Sequence, residues 1–558
     1  MPNERTGGQV LVDQLLIHGV DKVFCVPGES YLAALDAFHD VLDDICLVVC
    51  RHEGGAAYMA EAYGKLTGRP GILFVTRGPG ACNATIGVHT AFQDSTPMIV
   101  FIGQVARTQE YREAFQEIDY RQFYAPITKW VGQIERADRI PELVSQAFHR
   151  ATAGRCGPVA LALPEDMLSE MTSVADAERY MPIQVGVDPD DMQHMREMVS
   201  TARTPFMLVG GGGWTTDACE DIVVFAEAND IPTGCSFRCQ HIFDNTHKNY
   251  AGDVGIGIST KLAARIRNAD LLLVVGARLG EQTTRGYTLV DIPNPKQRLI
   301  HVYPDPDELG RVYRPNLPIC ASMIAFSRAA RDLQPVNSKA WNTSALVARQ
   351  DYLNHITPTP GLPGDLDMAE VMAIMRLRLP DVLIATDAGN FSGWVQRFHP
   401  FTRYPSQIAP ANGSMGYGVP AAIAARLENP DRVVVGFCGD GGVLMTGNEV
   451  ATAIQYGIDP IIFIVNNGMY GTIRMHQEHD YSGRAIGTDL TNPNFAQWAK
   501  SFGAFGEVVR TTAEFAPALD RALDAGKIAI LELQVDPEVI TTQTTLSSIG
   551  KQAQADVC

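Results

Sequence analysis

Apolar residues in this chain fall in short unbroken runs of aliphatic and β-branched side chains, each closed by a glycine-bearing turn and followed by a stretch with helical spacing. Val23–Val26 precedes Pro27-Gly28, Gly71–Val75 precedes Arg77-Gly78, and Met98–Ile102 precedes Gly103. Runs without polar alternation suit strands covered on both faces, and their alternation with helical stretches predicts parallel sheets with crossover helices. A first block closes with Val159–Leu163 and Pro164 and gives way to a mixed polar segment, Ala175–Pro189. A second block runs from Phe206–Val209 into Gly210–Gly213, from Asp270–Val275 into Gly276, and from Arg298–Val302 into Pro304-Asp305-Pro306. Residues 333–366 are rich in Pro, Asn, Ser and Thr around one helical stretch, Ala345–Asn354, and read as a linker. A third block has strands at Val382–Thr386, Val433–Phe437, Ile461–Val465 and Ala529–Val535. The expected fold is α/β, three doubly wound parallel-sheet domains over residues 1–180, 181–335 and 367–558, with a linker over 336–366. The first and third blocks share length and strand rhythm.

At 558 residues the chain is too long for one core. Its net charge of −18 argues against phosphate backbones and anionic membrane surfaces, so neither nucleic acid nor membrane is expected as a partner. The 11 cysteines are scattered, and the loose pair Cys235 and Cys239 has no second pair to complete a zinc site, so reduced thiols are expected. The polar start, Met1 to Gly8, and apolar runs far shorter than a membrane span lead to an expected cytoplasmic location.

The chemistry concentrates in the third block. Gly439-Asp440-Gly441 follows one apolar strand and Asn466-Asn467 follows the next, with Asp440 and Asn467 27 residues apart. In a parallel sheet both strand ends emerge on one edge, so the carboxylate and the amide can converge on one ion. Together with a backbone carbonyl from Met469 and phosphate oxygens, they make the hard oxygen set that magnesium prefers. Gly441 and Gly442 allow close approach to phosphate, and a helix beginning near Val443 aims its positive end there. A magnesium-bridged diphosphate is the expectation. For the second block, Gly210–Gly213 does not fit a dinucleotide fingerprint, and a tight turn serves equally well.

The GDG and NN pair at this spacing resembles the signature of thiamine diphosphate enzymes, and the surrounding residues are similar to their acetolactate synthase branch along nearly the whole chain. The resemblance implies a pyrimidine-binding first domain, a nucleotide-binding-like central domain and a diphosphate-binding third domain. It puts Glu53, in Arg51-His52-Glu53-Gly54, opposite N1′ of the cofactor's aminopyrimidine, where a carboxylate assists proton removal from thiazolium C2. Thr76 to Gly80, with Pro79, and Asn83 resemble the pyrimidine-side loop. Gln104 resembles an active-site glutamine, and Phe115 belongs to the loop that follows it. Gly389, Asn390 and Phe391 resemble a diphosphate-contacting loop. Gly413 and Met415 resemble the segment that bends the cofactor, with Met415 wedged between its rings. Because these residues divide between first and third domains, the resemblance implies a cofactor shared by two chains: a homodimer at minimum, and a homotetramer of paired dimers as the family often forms.

Two departures bear on substrate. Where acetohydroxyacid synthases carry Phe-Asp-Asp-Arg, whose arginine holds an acceptor carboxylate, this chain reads Leu279-Gly280-Glu281-Gln282; Arg285 is a candidate replacement. Where they carry Gln-Trp-Gln, it reads Met475-His476-Gln477, which makes His476 a candidate proton-transfer group and equally an ordinary helix residue. The relatives' Gly-Met-His-Gly flavin segment is replaced by Gly255–Ile258, so FAD is left open. The expected activity is decarboxylation of a 2-oxo acid followed by carboligation or protonation. The alternatives are cleavage of a 2-hydroxyacyl-CoA or a dione, and a non-catalytic partner subunit.

Overall fold

The computed structural model describes residues 4–557. Its frame is three six-stranded parallel sheets, one per block of the sequence. In the first, the strands Lys22–Cys25, Cys46–Val49, Gly71–Val75, Met98–Gln104, Trp130–Gln133 and Pro158–Pro164 lie in the spatial order second, first, third, fourth, sixth, fifth. The third sheet repeats that order with Leu383–Thr386, Gln407–Ile408, Val434–Gly439, Ile461–Asn466, Phe505–Val509 and Ala529–Gln534. The central sheet, from Pro205–Val209 to Leu317–Cys320, is wound third, second, first, fourth, fifth, sixth. The central order reverses once, between its first and fourth strands; the other two reverse between their first and third strands and turn back once more at the far edge. Such a reversal leaves a crevice at the carboxyl ends of two neighbouring strands, where ligands of open α/β sheets bind. In the third sheet the crevice lies between Thr386 and Gly439; in the central sheet it lies between Val209 and Val275.

The central strands are the unbroken apolar runs of the sequence, and they are buried along their whole lengths. Edge strands are shorter and less apolar: Trp130–Gln133 is half-buried throughout, and Gln407–Ile408 has two residues. Part of the expected linker is built into the central layer. Helix Asn342–His355 buries Ala345, Ala348 and Tyr352, with the Tyr352 ring 4.9 Å from that of Tyr250 on the edge strand Tyr250–Val254. Asp351 on this helix also pairs with Lys261 and Arg265.

First and third units share one core. Helix Glu53–Thr67 packs against helix Gly418–Glu428, the element in the equivalent topological place. Both faces are built from alanines, among them Ala56, Ala57, Ala60, Ala421, Ala422 and Ala425, all buried, which lets the backbones approach closely. Polar groups lock the register. Tyr58 Oη bonds Ser414 Oγ at 2.5 Å and donates to the Met415 carbonyl at 3.1 Å, and Tyr417 Oη donates to the fully buried Glu61 at 2.6 Å. No described helix is long and apolar enough to cross a membrane, and the ten described cysteines, Cys235 and Cys239 included, are free.

Candidate active site

Two adjacent parallel strands deliver the third unit's polar residues to one edge. Gly439 lies beside Val465 in the ladder, so Asp440 and the Asn466-Asn467 pair leave the sheet together. The helix starts at Asp440 itself rather than near Val443, which puts Gly441 and Gly442 in its first turn, where N–H groups have no acceptor within the helix. Asp440 is buried. Its Oδ1 accepts from Gly441 N at 3.0 Å, and its Oδ2 accepts from Gly468 N at 2.9 Å and from Asn492 Nδ2 at 2.7 Å. Burial holds its carboxyl above the ordinary range, opposed by those hydrogen bonds; none of the groups acting on it is a cation. Asn467 Oδ1 accepts from Met469 N at 3.3 Å. Asn466 links this group to the sheet: its Oδ1 accepts from the same Gly468 N and Asn492 Nδ2, each at 3.1 Å, and its Nδ2 donates to the buried Glu532 at 2.9 Å. No group of three or more His, Cys, Asp or Glu suited to a metal occurs among the described residues. The Asp440 set has a single carboxylate and depends on amide, carbonyl and ligand oxygens. A buried carboxylate lacking a cation, beside an amide oxygen, fits magnesium.

The glycines here are required by their neighbours. A Cβ on Gly439 would lie 2.8 Å from the Phe391 ring, one on Gly441 2.4 Å from the Tyr470 ring, and one on Gly442 2.6 Å from Asp387 Oδ2. Asp387, across the crevice, accepts from the N–H groups of Ala388, Gly416 and Tyr417 at 2.8, 3.1 and 3.2 Å, and burial pushes it up to about 6. It thereby ties Gly413–Gly416 to the strand end. Gly413 and Gly416 both have left-handed φ, +74° and +81°, and make the double turn that presents Met415. On the facing loop, Asn390 Oδ1 accepts from Thr472 Oγ1 at 3.0 Å and its Nδ2 points to Met475 Sδ at 3.4 Å.

In the first unit Glu53 is the first residue of its helix, capped by His52, whose Nδ1 accepts from Gly54 N at 3.0 Å. Glu53 is buried, accepts from Asn83 Nδ2 at 2.9 Å, and stands close to Gly80, next to Pro79 at the start of the next helix. Glu449, from the third unit, takes the N–H groups of Arg51 and His52 at 3.0 to 3.2 Å and so fixes the entry to Glu53. Gln104 is buried with both ends of its amide engaged: it donates to the Ile118 carbonyl and accepts from Val105 N, each at 2.9 Å. Its role here is to hold the following loop. Arg77 donates to the Phe115 carbonyl in that loop at 3.2 Å, while the Phe115 ring is 72% exposed.

Within one chain, no described hydrogen bond joins the Glu53–Asn83 pair to the Asp440 group. Exposed apolar residues flank both halves: Ile86 and Phe115 near Glu53, Leu444 and Met445 near Asp440. His476 is exposed on helix Gly471–Asp480, whose Thr472 and Met475 are the residues that meet Asn390. Gln282 and Arg285 lie exposed on the loop after Gly276-Ala277-Arg278, bonded to neither half. In the central crevice a Cβ on Gly211 would lie 2.0 Å from the Gly276 carbonyl, so this glycine is demanded by a tight turn. Arg278 is taken up by Glu308 and the Gln93 carbonyl.

Asp387, Glu449 and Asn492 were not anticipated. Thr386-Asp387-Ala388-Gly389 repeats the strand, acid, glycine pattern of the GDG motif and was legible in principle. Glu449 and Asn492 carry no local signal for these roles, because Arg51 and His52 lie 397 or more residues from Glu449, and the Asp440 group lies 26 or more from Asn492.

Comparison with known proteins agrees with this geometry in all three units. Family models described as the N-terminal TPP binding domain, the central domain and the C-terminal TPP binding domain of thiamine pyrophosphate enzymes match residues 5–123, 192–329 and 387–533. Among curated proteins, the acetolactate synthase large subunit of Corynebacterium glutamicum is 30% identical over 93% of this chain and 85% of its own length. That of Parasynechococcus marenigrum is 30% identical over 90% and 83%, and that of Haemophilus influenzae 28% over 95% and 94%. With three parallel sheets in this order, an acid and an amide at paired strand ends and relatives matched along nearly their whole lengths, the chain belongs to the thiamine pyrophosphate-dependent enzymes of the acetolactate synthase-like group.

Proposed function

We propose that this enzyme uses thiamine diphosphate and magnesium to decarboxylate a 2-oxo acid and pass the remaining acyl unit to a second carbonyl or to a proton. The observation that carries the reading is the buried, cation-free Asp440 beside Asn467 at the switch crevice of the third sheet. The names of the relatives, acetolactate synthases, support the 2-oxo acid.

Asp440, Asn467 and the Met469 carbonyl would hold the metal. The first-turn N–H groups at Gly441 and Gly442, with the Gly389, Asn390 and Phe391 loop, would hold the diphosphate. Bound there, thiamine diphosphate supplies a nucleophilic carbon and an electron sink for cleavage next to a carbonyl. Glu53, held by Asn83 and aimed by the Glu449 clasp on its helix entry, keeps a proton-exchanging carboxyl facing the pyrimidine end. Pro79 and Asn83 frame that end, while Gly413 and Met415 press from the other side. Gln104 acts through the Phe115 loop. His476, Gln282 and Arg285 are candidates for substrate selection on segments at the margin of the site.

The absence of any described hydrogen bond between the Glu53 and Asp440 groups of one chain, and the apolar residues exposed beside each, support a site completed by a second copy. A homodimer is the minimum unit, and a homotetramer of two such dimers is the proposed assembly. Flavin is not required by any of these roles, and the visible absorbance of the purified protein reads its content directly. The central test is incubation of the magnesium-loaded enzyme with pyruvate and other 2-oxo acids, following CO₂ and hydroxyketone product. Release of CO₂ supports the reading. Turnover confined to a 2-hydroxyacyl-CoA or a dione, with none from 2-oxo acids, replaces it.

A further inference from the structure

Arg238 is a guanidinium with no ion-pair partner among the described residues. It leaves the central strand Thr233–Ser236 on a loop that reaches the third unit, where its Nη atoms touch the Asp387 carbonyl at 3.3 and 3.4 Å and Ser392 Oγ at 3.5 Å. These are long contacts to neutral oxygens. Its Nε is buried and meets no acceptor, and it forms no ion pair among the described residues. Three carboxyl groups lie near, Asp387, Asp94 and Asp253, and none forms an ion pair with it; Asp94 is taken by Lys65 at 2.6 Å. Asp387 spends its carboxylate on three backbone N–H groups. Asp253 is pushed by burial to about 8, so it carries a proton near neutral pH, and its bonded oxygen faces Gln396. Arg238 also sits at φ +61°, a left-handed conformation that costs a non-glycine residue on the order of 1 to 3 kcal/mol and persists where the surroundings enforce it.

Burying a cation without its counter-charge is costly, and the cost is relieved only when an anion arrives. Arg238 lies between the end of the central strand Thr233–Ser236 and the start of helix Ser392–Phe398. Gln396 of that helix donates to the Ile256 carbonyl at 2.7 Å, and the Ile256 side chain is exposed at the rim. Three residues along from Asp387 begins the Asn390 and Phe391 loop assigned above to the diphosphate. Arg238 meets Asp387 through its carbonyl, whereas the carboxylate of Asp387 faces Gly416 and Gly442 on the cofactor side. Gln282 and Arg285, where the family pattern would place the charge, are exposed, and neither side chain bonds any of these residues.

We propose that Arg238 is the anchor for the carboxylate of the 2-oxo acid substrate, supplied from the central strand Thr233–Ser236 rather than from the Gln282 position. The assignment rests on the function proposed above. Its test uses the holoenzyme and two unreactive probes, oxamate, which has the shape and charge of a small 2-oxo acid, and its neutral methyl ester. Calorimetry on Arg238→Met is expected to show oxamate bound roughly tenfold or more weakly, the loss of one charge-assisted hydrogen bond, with the ester and thiamine diphosphate affinities unchanged. Arg238→Lys, which keeps the charge and loses the fork, should fall between. Unchanged oxamate affinity, or equal weakening of oxamate and ester, overturns the anchor. Weakening of thiamine diphosphate alone assigns Arg238 to the diphosphate and overturns it equally. If the wild type binds oxamate through Arg238 yet releases no CO₂ from any 2-oxo acid, the proposed reaction fails while the anion site stands.

Discussion

The first and third units wind their strands in the same order and bury equivalent helices against each other, yet they place their acids differently. In the first, the acid is Glu53, opening the helix after the second strand and paired with a neutral amide, Asn83. In the third, it is Asp440, opening the helix after the third strand with Asn467 beside it from the fourth. The equivalent of Asp440 in the first unit is the Gly78-Pro79 turn, and the equivalent of Glu53 in the third is the Gly416 segment, tied down by Asp387. One topology thus offers two crevice positions. A carboxylate above paired strand ends can share a cation with an amide, whereas one at a helix start beside a single amide is suited to exchanging a proton. The difference in the tasks proposed for them follows from position, not from fold.

The comparison breaks most readily at the metal. Asp440→Ala removes the only carboxylate of the third-unit set, and magnesium-dependent binding of thiamine diphosphate, followed by calorimetry, is expected to vanish along with activity. Retained binding would remove the distinction between the two acids. Glu53→Gln should do the reverse, leaving cofactor affinity within about threefold while turnover drops about 10²- to 10⁴-fold, the usual range for loss of a proton-transferring group. Equal loss of binding and turnover in both variants would make the two positions equivalent.

Asp387 sharpens the contrast through pH. Its folded value of about 6 lies above the ordinary 3.8, so the folded protein keeps a proton that the unfolded chain has released. The stability this contributes is complete below the ordinary value and is lost as pH rises towards 6, by at most about 3 kcal/mol. Asp387→Asn should flatten that part of the apoprotein's unfolding profile; an unaltered slope would show that Asp387 titrates normally. The smallest effect is expected at the seam between the units. Tyr58→Phe removes the bonds to Ser414 and Met415, which should cost about 1 kcal/mol in denaturant midpoint and loosen the Met415 segment. A neutral result would leave the alanine packing as the sole determinant of the register.

The buried strands of all three sheets were legible because they are unbroken apolar runs ending at glycines, and Gly71–Val75 is both the expected and the observed strand. The edge strands were not. Trp130–Gln133, Phe505–Val509 and Tyr250–Val254 mix glycine or charge into four or five residues, and only a neighbouring strand makes them extended. The helix at Asp440 begins three residues before the expected point because the acidic first turn belongs to it. Of the candidate site, the placement of Asp440 and Asn467 at paired strand ends was readable from two local motifs, while Glu53 was proposed from family likeness. Asn492, Glu449 and Arg238 were not readable, since each acts on residues far away in sequence.

By itself the sequence determined the α/β class, the three-sheet frame and the residue types at the strand ends, because strand burial and glycine turns are local properties of the chain. Tertiary structure alone decided that Gln104 is spent on its own loop, that Gln282 and Arg285 point to the surface, and that a cation of the central unit stands unpaired beside the third. Whether a polar group is free to act depends on which partners reach it first, and those partners come from elsewhere in the chain.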